Sequence, residues 1–123
     1  MPAIGGLTSL KPVLKLAALD RPGLTHGFST ADLGNMRRDG GELLTPPRRA
    51  FATELGLDPR CIAFMGAVHG ADVAQADRPG LYDNVDALVT DRPGLALFAS
   101  FADCFPILVY DGKRRVAGRH AHR

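Results

Sequence analysis

Apolar positions along this chain come in short bursts, each closed by a turn signal. The bursts are PVLKLAAL (12–19), LTHGFS (24–29), CIAFMGAV (61–68), ADVAQA (71–76), VDALVT (85–90), LALFASF (95–101), FPILVY (105–110) and RVAGRH (115–120). Some alternate apolar with polar and others are continuous runs of β-formers, so each is predicted to be a strand. The later bursts recur about every 10–12 residues, which suits sheet connected by turns. The pentapeptide DRPGL stands at 20–24, 77–81 and 91–95. Its Pro-Gly pair fits the centre of a type II turn, so each copy is read as punctuation between elements. The unequal spacing of the copies argues against a solenoid repeat.

One segment is predicted to be a helix. Thr45 can cap it, Pro46 and Pro47 suit its first turn, and RRAFATEL carries it to Gly56. Ala50, Phe51 and Leu55 would share the face that docks on a sheet. Residues 31–44 are rich in Gly and Asp and are read as a long loop. The expected class is α+β, dominated by strands, in a single domain over residues 1–123.

Composition agrees with a packed domain. The chain has 123 residues, 46% apolar and 23% charged, enough for one core and too few for two of ordinary size. A net charge of +2 gives no reason to expect nucleic acid or an anionic membrane as partner. The arginines near the end (Arg114, Arg115, Arg119, Arg123) are read as a solvated tail. No apolar run reaches the roughly 20 residues of a membrane span, and the first residues do not read as a signal peptide. Cys61 and Cys104 are expected to be free thiols in a reducing cytoplasm.

The stretch FASFADCFPILVYD (98–111) sets Asp103 and Cys104 between two apolar runs. A buried Asp103 needs a partner, whereas a buried cysteine alone proves nothing. His69 closes an apolar run in AVHGAD, and His120 and His122 lie in RHAHR. Imidazole and thiolate are zinc ligands, and three protein ligands leave a fourth position for water. His69, Cys104 and His120 could supply such a set from separate strand ends. Spacing leaves two other readings open: a buried cysteine with unrelated surface histidines, and a cysteine hydrolase in which His69 or His120 activates Cys104.

The order VHGADV, VDALVTDRPGLAL, ADCFPILVYD, RRVAGRHA resembles a bacterial family first described as multicopper polyphenol oxidases or laccase-domain proteins. That family is now regarded as purine nucleoside phosphorylases. GLTHGFST and the helix ending in ELGLDP resemble it too, so the likeness spans about residues 22–121.

The resemblance implies a YfiH-like fold of mixed β-sheet layers with flanking helices, in shortened form. It implies a zinc ion, with copper as competitor, held by His69, Cys104 and His120, and the same three residues as the catalytic centre. Asp103 is then a neighbour that orients the site. The implied reaction is phosphorolysis of adenosine, inosine or guanosine, with adenosine deamination and methylthioadenosine cleavage also attributed to the family. Arg37, Arg38, Arg48 and Arg49 are candidates for neutralising phosphate. The chain resembles only the front half of the family's domain, and the family's H-A-G-W-R-G block reads His120, Ala121, His122, Arg123 here. Weak activity and a homo-oligomer that buries exposed sheet faces are the corresponding expectations, with a catalytically dead metal-binding fragment as the alternative. His122 stands where the family has glycine and could act as a fourth ligand.

Overall fold

A computed structural model describes residues 12–38, 40–67, 70–101, 105–112 and 119–121, the last three by their backbone path. The chain divides into two compact units, Met1–Pro59 and Arg60–Arg123.

In the first unit, β1 (Val13–Leu14) pairs antiparallel with β2 (Phe28–Ser29), Val13 opposite Ser29 and Leu14 opposite Phe28. The apolar burst at 12–19 is therefore strand only at its start, and Ala17–Leu19 coils into a short 3-10 helix. The Leu16 amide donates to His26 Nε2 at 2.8 Å, an arrangement that requires that ring nitrogen unprotonated. Burial holds the His26 pKa below its ordinary value. The loop at 31–44 opens with a second short 3-10 helix, Ala31–Leu33.

Helix α1 runs over Pro46–Glu54. Thr45 occupies the N-cap position, but its hydroxyl makes no cap hydrogen bond and is buried without a partner. The two prolines explain much of this. They remove the amide at the second helical position, one of the two that a capping side chain ordinarily engages. The helix stops as a glycine-terminated motif. Leu57 N donates to Ala52 O at 2.9 Å and Gly56 N to Thr53 O at 3.0 Å, with Gly56 at φ 70°, which L-residues adopt only at a cost.

The docking face of α1 differs from the predicted one. Ala50 is exposed, while Arg48, Phe51 and Ala52 are buried and Leu55 is half-buried. Positions 48, 51, 52 and 55 follow helical periodicity, so an arginine takes the first place on the apolar stripe. Arg48 is 4% exposed. Its Nε donates to Met36 O at 2.7 Å and its Nη1 to Leu43 O at 2.8 Å. Desolvation lowers its pKa, and the charge of Arg38 adds to the effect, but guanidinium remains charged at any ordinary pH. The side chain thus ties the two ends of a long loop to the helix.

The second unit is built on parallel pairing. β3 (Ile62–Gly66) lies between β5 (Gly80–Asp83) and β7 (Ala96–Phe98), parallel to both. β4 (Val73–Gln75) pairs parallel with β6 (Ala87–Val89) in a second sheet. Successive strands therefore alternate between the two sheets. β5 was not predicted, because it opens on the glycine of a DRPGL copy and carries only Leu81 and Tyr82 as apolar residues.

Strand alternation sorts the β5–β3–β7 sheet into two faces. Ala63, Met65, Tyr82 and Leu97 share one face by register. They join Ala76 and Leu88 in the core cluster, to which Ala74 also packs. The opposite face carries Phe64 and Phe98, whose rings lie 5.4 Å apart and tilted by 57°, a pair contributing about 0.5–1.5 kcal/mol beyond area burial. Polar residues bound the second sheet. Thr90 Oγ1 donates to Ala76 O at 2.8 Å where β6 ends.

Two DRPGL copies form the expected turns, closed by Leu24 N to Arg21 O at 3.2 Å and Leu95 N to Arg92 O at 3.4 Å. In the third, Tyr82 Oη accepts from the amides of Asp77 and Arg78 and donates to Arg78 O at 2.9 Å. Finally, β8 (Phe105–Ile107) and β9 (Arg119–Ala121) form an antiparallel pair. The remainder of the predicted strand at 115–120 lies outside the described residues.

Arg48→Ala should destabilise the protein by about 2–4 kcal/mol, since it removes two charge-assisted hydrogen bonds and leaves two half-buried carbonyls without that donor. Exposed Arg37→Ala should stay within about 0.5 kcal/mol. Chemical denaturation of the two variants checks the difference, and equal effects would refute the loop-tying role.

Candidate metal centre

Parallel neighbours leave a sheet at the same edge. The carboxyl end of β3 continues to His69, three residues after Gly66. The carboxyl end of β7 continues to Cys104, six residues after Phe98. These two strands are adjacent and aligned, Ile62 with Ala96 and Phe64 with Phe98. The carboxyl edge of parallel strands is where open sheets of this kind present ligand-binding loops.

His120 enters from a different element. Its backbone lies in β9 opposite Pro106, and Pro106 is two residues past Cys104. β9 also runs close to β6, so the strand bearing His120 lies between β8, which follows Cys104 in sequence, and the sheet that contains β4, which follows His69. His69, Asp103, Cys104 and His122 lie outside the described residues, and His120 is described by its backbone. Among the described residues, no group of three His, Cys, Asp or Glu is set to hold a metal ion.

The connection after β3 is held on both sides. Val85 N donates to Gly66 O at 3.3 Å, and Gly70 N donates to Asp86 Oδ2 at 2.9 Å. Two further amides, Asp86 N and Ala87 N, donate to Asp72 O at 2.8 and 3.2 Å. Asp86 is 4% exposed, so its carboxylate is a buried acceptor aimed at the residue that follows His69. The DALVT block marks a strand and does not by itself assign Asp86 a role. The available signal was a carboxylate at the head of an apolar strand, where burial demands a partner.

The remaining candidates are spread out. Arg37, Arg38 and Arg49 are exposed. Arg38 Nη2 reaches Gly41 O at 3.3 Å, and Arg48 is engaged by the loop carbonyls as described. Cys61 is a half-buried free thiol at the amino end of β3, and its carbonyl accepts from Ala96 N at 2.9 Å. At about 3.3 Å per residue it lies roughly 16 Å from the carboxyl end of that strand. No helix among the described residues is long and apolar enough to cross a membrane.

A purine nucleoside phosphorylase of Streptomyces coelicolor is 40% identical over 100 residues, covering 78% of this chain and 41% of that protein. One of Streptomyces griseus is 41% identical over 101 residues, with the same coverage. One of Corynebacterium glutamicum is 32% identical over 120 residues, covering 92% of this chain and 48% of its own length. The chain thus spans less than half the length of these curated relatives. Residues 20–123 match the family model described as multi-copper polyphenol oxidoreductase laccase, and the chain belongs to that family.

Proposed function

We propose that this chain carries the metal-binding half of a zinc-dependent purine nucleoside phosphorylase, acting on adenosine, inosine or guanosine with phosphate as co-substrate. The observation that supports this most is the shared carboxyl edge of β3 and β7, from which the chain runs on to His69 and Cys104. The laddering of His120 beside the strand that follows Cys104 adds to it. The names of the relatives supply the reaction class.

The donor chemistry fits the ion. Two imidazoles and one thiolate are ordinary zinc ligands and leave one position open. Zinc bound there would polarise a substrate oxygen or acidify a bound water. In phosphorolysis a phosphate oxygen bonds to C1′ of the ribose as the C1′–N9 bond breaks and the purine departs. The protein's share is to hold nucleoside and phosphate in line and to balance the phosphate charge. Arg37 and Arg38 are the better candidates for the second task, because Arg48 already donates to two loop carbonyls. Asp103 orients the site, and adenosine deamination is a second activity of the same centre. A cytoplasmic location keeps both thiols reduced. Self-association accompanies this reading, supported by Phe105 and Ile107, exposed on one face of β8 at 64% and 40%, and by Val109 just beyond the strand at 52%, in a two-stranded sheet that would be marginal alone.

The protein should carry about one zinc per chain by elemental analysis. Cys104→Ala should abolish uptake and Cys61→Ala should leave it unchanged. With nucleoside and phosphate, base and ribose 1-phosphate should form in equal amounts and stop when chelator is added. Base release that persists in chelator or needs no phosphate would instead favour a cysteine hydrolase. Sedimentation at micromolar concentration should show a species larger than one chain, and a monomer alone would remove the self-association.

A further inference from the structure

We infer that Asp86 is a positioning residue for the metal centre, acting through the backbone of the connection that bears His69. The inference rests on the proposed reading that His69 is a ligand. It is carried by a bracket visible in the hydrogen bonds. The dipeptide Val85–Asp86 holds the residue at each end of the 67–69 stretch: Val85 N to Gly66 O at 3.3 Å, and Gly70 N to Asp86 Oδ2 at 2.9 Å. The first bond fixes where β3 ends. The second fixes where the chain resumes toward β4.

Burial gives the second bond its weight. A carboxylate that is 4% exposed has lost most of its water, and a charge-assisted bond to a backbone amide offsets part of that cost. The fit is close. A Cβ on Gly70 would come within 3.1 Å of Asp86 Oδ2, so a methyl group there would press on the carboxylate and push it back by a few tenths of an ångström unless the loop gives way. Asp86 is itself anchored, because its own amide and that of Ala87 donate to Asp72 O. It also leads directly into β6, the strand beside β9. One residue thereby couples the backbone next to His69 to the strand that neighbours the backbone of His120. Partners that hydrogen-bond a metal ligand itself typically change metal affinity by about 10–100-fold when removed, and a bond to the adjacent backbone is expected at the lower end of that range.

Zinc affinity, measured by competition with a chromophoric chelator, tests the role without any assay of turnover. Asp86→Ala should weaken zinc binding at least about tenfold, and Asp86→Asn, which keeps an acceptor oxygen for the Gly70 amide, should recover most of the loss. Cobalt substituted for zinc should show an altered d–d spectrum in Asp86→Ala and a near-native one in Asp86→Asn. Gly70→Ala, which leaves the carboxylate in place and crowds the bond, should also weaken binding, and it serves if Asp86→Ala does not fold. Native affinity in Asp86→Ala or Gly70→Ala overturns the positioning role while leaving the metal reading intact. Equal loss in Asp86→Asn and Asp86→Ala overturns it too, because charge rather than the amide bond would then matter. Failure of the unmodified protein to bind zinc overturns the metal reading itself, and the positioning role falls with it.

Discussion

Parallel strand pairing is the constraint on which the Arg60–Arg123 unit depends. A tight turn can join antiparallel neighbours, but a parallel neighbour is reached only by a crossover that brings the chain back to its starting edge. Here the crossovers are themselves strands. β4 carries the chain from β3 back to β5, and β6 carries it from β5 back to β7, while β4 and β6 pair with each other. The crossover strands thereby supply the second layer that covers Ala63, Met65 and Leu97. Each sheet provides the other's core, so neither would be stable as a separate element.

This winding also separates two kinds of connection. The links that follow β3, β5 and β7 all leave the carboxyl edge of one sheet. They carry His69, the Val85–Asp86 pair and Cys104. The return links, after β4 and β6, carry the two DRPGL copies that begin at Asp77 and Asp91. Those copies occupy equivalent places in successive windings, which is why the same pentapeptide serves twice. The copy at Asp20 belongs to the other unit and is an ordinary turn.

Much of this was legible in the sequence, and the gaps have physical causes. Apolar bursts locate β3, β6 and β7, because burial on a sheet requires them, and they also locate β4 and β8, whose outer positions are exposed. Periodicity reports burial and not direction, so it could not distinguish parallel crossovers from hairpins. β5 was missed because a turn glycine doubles as its first residue. The charge of Arg48 points to solvent or phosphate, and its burial rules out the first. Its spacing from Phe51, Ala52 and Leu55 put it on the buried face, and two backbone carbonyls make that burial tolerable. The ligand candidates were visible as residue types at strand ends. Asp86 is legible only in part: a carboxylate at the head of an apolar strand signals a need for a partner, but nothing local says that the partner is a backbone amide 16 residues away.

The central claim is that His69, Cys104 and His120 together hold one zinc ion. X-ray absorption at the zinc edge of the loaded protein reads the donor set directly. The account predicts two imidazole nitrogens at about 2.0–2.1 Å and one sulfur at about 2.3 Å, with the remaining position filled by a light atom. A coordination shell without sulfur, or with a single imidazole, would contradict it.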